Sequence, residues 1–519
     1  MEIKSETSYT KNIKCSDVYT ESAVDYSLPD YLGDVRKILF TEATLRPSGR
    51  FAGGETIEFS GVVVYNVIYL DSDNNLSSAE FSSDYEYSVK CTGECYKDSI
   101  SDTRVSAFAI RLLGPRKISA RASLVGSVRL SEEGKITLCG SALEGDYSPE
   151  TSIKAVRVRS NRISSVTERE YAEQVANLDG AIADEVSVIY CYAEAVADSV
   201  TLEGDKLCVK GKLRMNGVIK NENQPVFSVE KVVGFEENVD FEGASQNMHF
   251  SPRLTVSSLK ANVNPTENGC EVVMNGIVEM CVVGEYNEQV DLLLDAYLKS
   301  TPTENEYKDF EYLCLADSAS VRGTHNAELD RSDVESTCLR EIIFMTATPR
   351  VERVEAKNGV VNIFGEVRYS GIASEQNQDD LSYVSLKFSS PFATNVNINC
   401  QNDENVSVDA RVCVSGASAS IDANKIYASC TLESSVVVCE EKKEKILSSI
   451  SVLEKEVFES NSAKIIVYYP TEDDTLFSVA KRYRTSVLKV ARDNGISESV
   501  FSSENPDGKL LGVKKLVIY

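Results

Sequence analysis

The chain has 519 residues, 42% of them apolar, and its 54 basic and 80 acidic side chains give a formal net charge of −26. A chain of this length predicts several domains, because single hydrophobic cores stop growing at roughly 250–300 residues. Residues 464–519 contribute nine Lys/Arg and seven Asp/Glu, which leaves 45 against 73, or −28, for the body. An acidic body argues against nucleic acid and anionic lipid as partners, because both are bound through cationic surfaces.

The N-terminal stretch MEIKSETSYTKNIK lacks the charged and then apolar pattern of a secretory signal, and no apolar run approaches the roughly 18 residues needed to span a bilayer. We therefore expect a cytoplasmic protein. The fourteen cysteines are scattered through apolar runs, and the closest pair, Cys91 and Cys95, has no second pair at zinc-site spacing. We expect mostly buried free thiols, no metal and no cofactor.

Three stretches of the body align with one another in chain order. Each has an alanine 18 residues before a glycine, and the successive glycines are 150 and 154 residues apart: Ala43 and Gly61, Ala193 and Gly211, Ala347 and Gly365. A repeat of this length is a whole domain rather than a solenoid unit.

The segment around each glycine alternates apolar and polar residues, as in Phe59, Gly61, Val63 and Tyr65. This period of two predicts a strand with one buried face. A glycine on that face indicates a bulge or a partner side chain packed closely on the backbone. Polar turns such as residues 71–75 follow and predict hairpins. We therefore expect a mainly β fold with three antiparallel β-sandwich-like repeat domains.

Residues 464–519 have a different pattern, with strand-like runs at both ends and two short helical stripes between them. The first helix is predicted from an i, i+3, i+4, i+7 stripe with Asp474 as its N-cap: Leu476, Val479, Ala480 and Tyr483. The second covers residues 487–491, with Ser486 as its N-cap and Asn494-Gly495 as its stop signal. The predicted order is strand, helix, helix, strand, a small α+β domain.

These motifs resemble those of two known families. The pattern LPDYLGDVRKILFTEATLR with the glycine-centred strand resembles the SPOCS domain of sporulation proteins, and the resemblance covers most of residues 28–452. The stretch DDTLFSVAKRYRTSVLKVARDNGI resembles the LysM domain. The predicted division is an N-terminal segment, SPOCS-like repeats 1, 2 and 3, a charged linker and a LysM-like domain: 1–30, 31–165, 166–330, 331–440, 441–463 and 464–519.

The LysM resemblance implies a shallow groove that binds N-acetylglucosamine polymers. The implied binding residues are Asp474, Thr475, Leu476, Asn494, Gly495 and Ile496, and we add Phe477, an aromatic off the helical stripe that could anchor a protein partner. Asp473 replaces a usual glycine, Arg484 stands where a helix-ending glycine is frequent, and residues 497–513 form a longer connection than usual. Glycan binding and protein docking both stay open.

Catalysis is not expected, because the two histidines, His249 and His325, lie in polar, loop-like sequence without a nucleophile motif. Together the SPOCS-like repeats and LysM-like tail resemble the spore coat morphogenetic proteins. That resemblance implies a non-enzymatic assembly factor in the mother cell, at the forespore surface. Its implied partners are a SpoIVA-like coat ATPase and other coat proteins, and the alternative is a protein that binds peptidoglycan or cortex glycan. Residues 440–463 would be a tether or a short helix.

Overall fold

The structure is a computed structural model, and it confirms a mainly β fold built from several antiparallel sheets. It describes residues 5–15, 17–53, 55–91, 98–144, 148–204, 206–221, 224–334, 338–377, 380–400, 405–422, 424–453, 465–496, 509–510 and 512–519. Cys95 and residues 454–463 of the predicted linker lie outside these ranges.

Three sheets are three-stranded meanders, and the central strand of each carries one of the aligned glycines. Their strands, in chain order, are β3 (Val35–Gly53), β4 (Thr56–Asp71) and β5 (Leu76–Lys90); β10 (Val186–Glu203), β11 (Lys206–Asn221) and β12 (Gln224–Asp240); β16 (Leu339–Lys357), β17 (Val360–Asn377) and β18 (Asp380–Asn397). The predicted strand and hairpin at each glycine are therefore confirmed.

Both features expected at the glycines occur together in all three meanders. The strand before each glycine has a register shift at the residue paired with that glycine, for example between Ala197 and Ser199 opposite Gly211. An aromatic ring from the following strand covers each glycine, namely Tyr85, Phe235 and Phe392. A Cβ at Gly211 would lie 2.4 Å from the Val196 carbonyl oxygen. No larger residue fits there without a shift of the backbone.

Three larger sheets are each built on one long central strand. They are β7 (Lys117–Thr137) with β1 (Glu6–Lys14), β2 (Val18–Ser27) and β6 (Ile100–Gly114); β14 (Gly269–Tyr297) with β8 (Glu150–Ile163), β9 (Thr167–Asp179) and β13 (His249–Thr266); β20 (Lys425–Val452) with β15 (Thr303–Asp330) and β19 (Val406–Ile421). Each meander shares a hydrophobic core with one larger sheet, so three two-sheet bodies follow one another along the chain.

Strand pairing groups some residues differently from the predicted boundaries. β1 and β2 come from the predicted N-terminal segment but pair with β7 of the first body. β8 pairs with β14 of the second body, and β15 pairs with β20 of the third. In each body, the first strands pair with the last strand, which is the central strand of the larger sheet. This long-range pairing leaves no local signal in the sequence.

The stretch predicted as a tether or short helix is strand as far as Val452. Ile446, Leu447 and Ile450 are fully buried there, because the end of β20 packs against neighbouring strands of the body. The charged residues 440–445 that suggested a linker lie on a strand paired with β15. The secondary structure predicted for this part of the linker is wrong.

The three bodies meet around a shared aromatic cluster. Phe40, Tyr190 and Phe344 each stand three residues before the aligned alanine, and their ring centroids are 5.0–5.4 Å apart. Ile68, Val218 and Ile372, each seven residues after the aligned glycine, are buried in the same cluster. The repeated positions therefore face one another, and the bodies form one continuous unit in this cluster.

Cysteine chemistry differs from the expectation at one position. Twelve cysteines of the described ranges are free, half of them buried, whereas Cys91 is disulfide-bonded. Burial of a thiol raises its pKa, as at Cys191, where desolvation raises the pKa to about 11. The expectation of mostly buried thiols therefore holds for half of these cysteines, whereas Cys139, Cys338 and Cys413 are exposed and Cys91 is disulfide-bonded.

The C-terminal elements are β21 (Ile466–Tyr468), α1 (Leu476–Tyr483), α2 (Val487–Asp493) and β22 (Leu516–Ile518), and β21 pairs antiparallel with β22. This is the predicted order of strand, helix, helix, strand. We call these residues, 465–496 with 509–510 and 512–519, the C-terminal module. Among the described residues, no helix has the length and apolar character needed to cross a bilayer.

Candidate functional site

The C-terminal module has a small core made by the predicted helical stripe. Leu476, Val479 and Ala480 of α1 are buried with Leu516 and Ile518 of β22. The N-cap residue of α1 is Thr475, not the predicted Asp474, because Thr475 and Ser478 form a reciprocal capping box. Ser486 is the N-cap residue of α2 as predicted, although its side chain makes no capping hydrogen bond.

Asp474 fixes the loop that precedes α1. Its Oδ2 accepts hydrogen bonds from the Thr471 backbone N–H at 2.7 Å, from the Thr471 hydroxyl at 2.9 Å and from the Tyr468 hydroxyl at 2.8 Å. The backbone hydrogen bond from Thr471 is the largest of the effects that lower the pKa of Asp474. This predicted groove residue therefore has a structural role in the loop.

Asn494 ties the end of α2 to β22. Its Oδ1 accepts from the Val517 N–H at 2.6 Å, and its Nδ2 donates to the carbonyl oxygens of Val517 at 2.8 Å and Val490 at 2.9 Å. Gly495 follows at φ 64°, and the Ile496 N–H then closes the helix end on the Ala491 carbonyl. The predicted stop at Asn494-Gly495 is confirmed, and both hydrogen-bonding ends of the Asn494 amide are used internally.

The structure places the predicted groove residues along one C-terminal stretch. The Asp474 carbonyl accepts from the Leu510 N–H at 3.0 Å, and Thr475 forms an isolated bridge with Lys509. Residues 494–496 lie by Val517 at the far end of that stretch. Residues 497–508, most of the lengthened connection, lie outside the described residues. Leu476 is fully buried, so of the predicted set it is a core residue.

Phe477 packs against the body of the protein. Its ring meets Tyr297, at the end of β14, edge to face with centroids 5.3 Å apart. The Tyr297 hydroxyl donates to the Thr485 carbonyl at 2.6 Å, and Lys481 forms an ion pair with Asp295. Sequence reasoning did not find Tyr297 or Asp295, because they lie about 180 residues from their partners and no motif marks them. The helical side of the module thus rests on the body.

Neither histidine lies in a loop, which corrects the prediction. His249 is exposed at the start of β13, and His325 is buried in β15. The His325 Nε2 lies 3.1 Å from the Pro391 carbonyl, which can only accept, so Nδ1 accepts from the Tyr369 hydroxyl at 2.9 Å. His325 is therefore a hydrogen-bonded core residue. In the described part of the chain, no three His, Cys, Asp or Glu side chains converge as metal ligands.

A charged cluster joins the larger sheets at a cavity of about 420 Å³. Arg159 of β8 donates to Glu285 of β14 at 3.0 Å and to Asp409 of β19 at 3.2 Å, and Arg129 of β7 pairs with the same two carboxylates. Arg253 makes a two-bonded contact with Asp102 nearby. The cluster belongs to four strands from all three bodies, so its first role is to hold them together.

Comparison with known families gives one match. Residues 186–264 match the family model described as SipL, SPOCS domain. This segment runs from the start of β10 through the second meander and into β13. No curated protein and no solved structure is matched by the chain. A SipL-like protein is supported by this segment, and with it a role in sporulation or the spore coat.

Proposed function

We propose that the protein is a non-enzymatic spore-envelope assembly factor that docks on a SpoIVA-like coat ATPase through its C-terminal module. The observation that carries the proposal is the SPOCS match over residues 186–264. In this proposal the protein acts in the mother-cell cytoplasm at the forespore surface and supports encasement by other coat proteins.

All three bodies are taken as SPOCS-like repeats in this proposal. The match covers the second meander and most of β13, but the first and third meanders share its glycine, its bulge and its covering aromatic ring. They also contribute equivalent residues to the central aromatic cluster. Such shared positions are what repeats of one domain would retain, because they fix the same backbone geometry in each copy.

The C-terminal module is taken as LysM-like, on its element order and on the motif at residues 473–496. Protein docking is favoured over glycan binding because Asp474, Thr475 and Asn494, the polar residues of the predicted groove, are held in internal hydrogen bonds. A sugar ligand needs free polar groups to match its hydroxyls. The predicted groove residues remain a prediction for either ligand.

Two parallel assays on the full chain test the proposal. The chain is passed over immobilised, purified SpoIVA-like ATPase, and it is also sedimented with purified peptidoglycan sacculi beside a glycan-binding LysM protein as control. Retention on the ATPase without pelleting is the expected result. Pelleting with sacculi and no retention would replace the proposal with peptidoglycan or cortex binding.

A further inference from the structure

The two-stranded sheet of β21 and β22 has an outer side made of large, exposed side chains. Residues alternate between the core and solvent along both strands, as the strand period requires. Ile466, Tyr468, Leu516 and Ile518 face the module's core. The opposite side, which we call the outer ribbon face, consists of Ile465, Val467, Tyr469, Lys515, Val517 and Tyr519.

The register places these residues in three rungs. Val467 lies directly opposite Val517, and the same register, continued by one residue past each strand end, places Ile465 beside Tyr519 and Tyr469 beside Lys515. Val467 is 51% exposed, Ile465 58%, Tyr519 59% and Tyr469 70%. Single exposed apolar residues are ordinary on protein surfaces, but four on one face of a small ribbon form a contiguous patch that marks an interaction site.

The outer ribbon face is open while the other side of the module is occupied. Phe477, Lys481 and Thr485 contact Tyr297 and Asp295 of the body, so one side of α1 and the turn after it are covered. The exposures of the ribbon residues hold in the full chain with this contact in place. In addition, within the described ranges β21 has β22 as its one strand partner, which leaves its outer edge for a further strand, whereas the outer edge of β22 is bonded at Val517 by Asn494.

Positive charge borders this face. Lys514 and Lys515 are exposed and form no ion pair with the described residues, and Lys489 donates to the Tyr519 carbonyl at the end of the ribbon. Residues 464–519 carry a net charge of +2, in contrast to −28 for the body. The partner surface that fits this face is an apolar strip bordered by carboxylates, because a cationic rim selects acidic partners and increases the rate of association.

We infer that the outer ribbon face is the docking surface for the coat ATPase, which binds it through an apolar strip bordered by Asp or Glu side chains. This inference rests on the proposed function and moves the contact from the predicted groove residues to the outer ribbon face. Tyr469 and Tyr519 are its aromatic anchors, since exposed tyrosines dominate the energetics of such interfaces.

Affinity of the full chain for the purified ATPase tests the inference. Tyr469→Ala should weaken binding about tenfold or more, as expected for an interface anchor. Tyr31→Ala is the matched control, because Tyr31 is an exposed tyrosine of the body, and it should leave affinity unchanged. Tyr519→Ala is a second anchor variant, and it lies beyond the last strand residue, so it cannot break strand pairing.

The charge contribution is tested with the double variant Lys514→Glu/Lys515→Glu. It should weaken binding at low salt by about tenfold and by less at high salt, because salt screens exposed charges. Lys308→Glu, at an exposed lysine in β15 of the body, is its control and should bind normally.

The outcomes separate the inference from the proposed function. Loss of affinity in both tyrosine variants, with Tyr31→Ala normal, supports the inference. Equal affinity of all variants and the wild type overturns it and leaves ATPase docking intact. No binding by the wild type overturns the proposed function and the inference with it. A wild type that is dimeric alone, with a monomeric Tyr469→Ala variant, shows that a second copy occupies the face and also overturns the inference.

Discussion

At the scale of single residues, the contact that Phe477 makes differs from the one expected from the sequence. The sequence suggested an exposed anchor whose loss would impair partner binding with little loss of folding, but its ring packs on Tyr297. We therefore expect Phe477→Ala first to loosen the module from the body. Edge-to-face aromatic pairs contribute about 0.5–1.5 kcal/mol beyond burial.

A double-mutant cycle with Tyr297→Ala measures this coupling by hydrogen exchange of the module. Leu488→Ala is the control, since Leu488 is exposed on α2 of the same module. Additive effects of Phe477→Ala and Tyr297→Ala would mean that the two rings do not stabilise the contact.

Asn494 is a second test at this scale, because its amide joins α2 to β22. Asn494→Ala removes three hydrogen bonds and leaves backbone groups of Val517 without their partner. We expect the module to lose about 1–3 kcal/mol of stability, the range for buried groups left unsatisfied. Thermal melting followed by circular dichroism checks this. A stable variant that had lost affinity for sacculi would instead make Asn494 a glycan contact.

Among single residues, the sequence predicted which side chains of α1 are buried, because their spacing is periodic. It did not predict the N-cap residue, because two neighbouring residues can both cap the helix. The buried stripe of α1 followed from its spacing. Asp474 and Thr475 are both good N-cap residues, and their order along the chain does not tell which one caps the helix. The capping box from Thr475 to Ser478, and the use of Asp474 by Thr471 and Tyr468, decide it in three dimensions.

At the scale of elements, the glycine of each meander is the feature with the sharpest test. Gly211→Ala would place a Cβ 2.4 Å from the Val196 oxygen and 2.5 Å from the Phe235 ring. We expect a loss of about 1–3 kcal/mol, the usual cost of overpacking. Gly234→Ala in β12 of the same meander is the control, because a Cβ there meets nothing within 4 Å.

Urea unfolding of both variants gives the comparison. Equal stabilities for Gly211→Ala and Gly234→Ala would contradict the close approach at Gly211. The strand, the hairpin and the glycine's role were all predictable, because local alternation and turn residues encode them. The extent of β20 was not, because a charged run hides the apolar alternation of its last residues until the partner strand is known.

At the scale of the whole molecule, the buried charge cluster links the three bodies. Glu285 is 3% exposed, and although burial opposes its ionisation, Arg129 and Arg159 outweigh burial and lower its pKa. We expect Glu285→Ala to destabilise the protein by about 3–5 kcal/mol, the cost of breaking a buried ion pair. Asp240→Ala, which removes an exposed pair with Lys206, should cost less than about 1 kcal/mol.

The pH dependence of the Glu285→Ala effect follows from the sign of the shift. A carboxyl with a lowered pKa stabilises the fold above its unfolded pKa and loses that contribution as pH falls through its folded pKa. The stability difference between wild type and variant should therefore be full near pH 7 and shrink below about pH 4. Glu42 and Glu194, whose pKa values are raised by burial, act in the opposite direction but cancel in this difference. A difference that stays constant down to pH 2 would contradict the ionic role.

The spacing of the aligned glycines predicted three large repeats, and each of the three meanders carries one of those glycines. How the bodies meet was not predictable, because Phe40, Tyr190 and Phe344 come from segments 150 and 154 residues apart and each reads as an ordinary strand residue. For the candidate site, the sequence predicted the C-terminal module and its order of elements, but not its contacts. Its groove residues came from a motif, while the contact of Phe477 with Tyr297 and the open ribbon face depend on tertiary packing.

The central claim is that the C-terminal module docks the protein on the coat ATPase. Hydrogen exchange of the full chain, alone and saturated with purified ATPase, tests it most directly, because it reports every backbone segment at once. We predict slowed exchange at residues 465–469 and 512–519, with the body unchanged. Protection confined to the body, or no change anywhere in the chain, would contradict the claim.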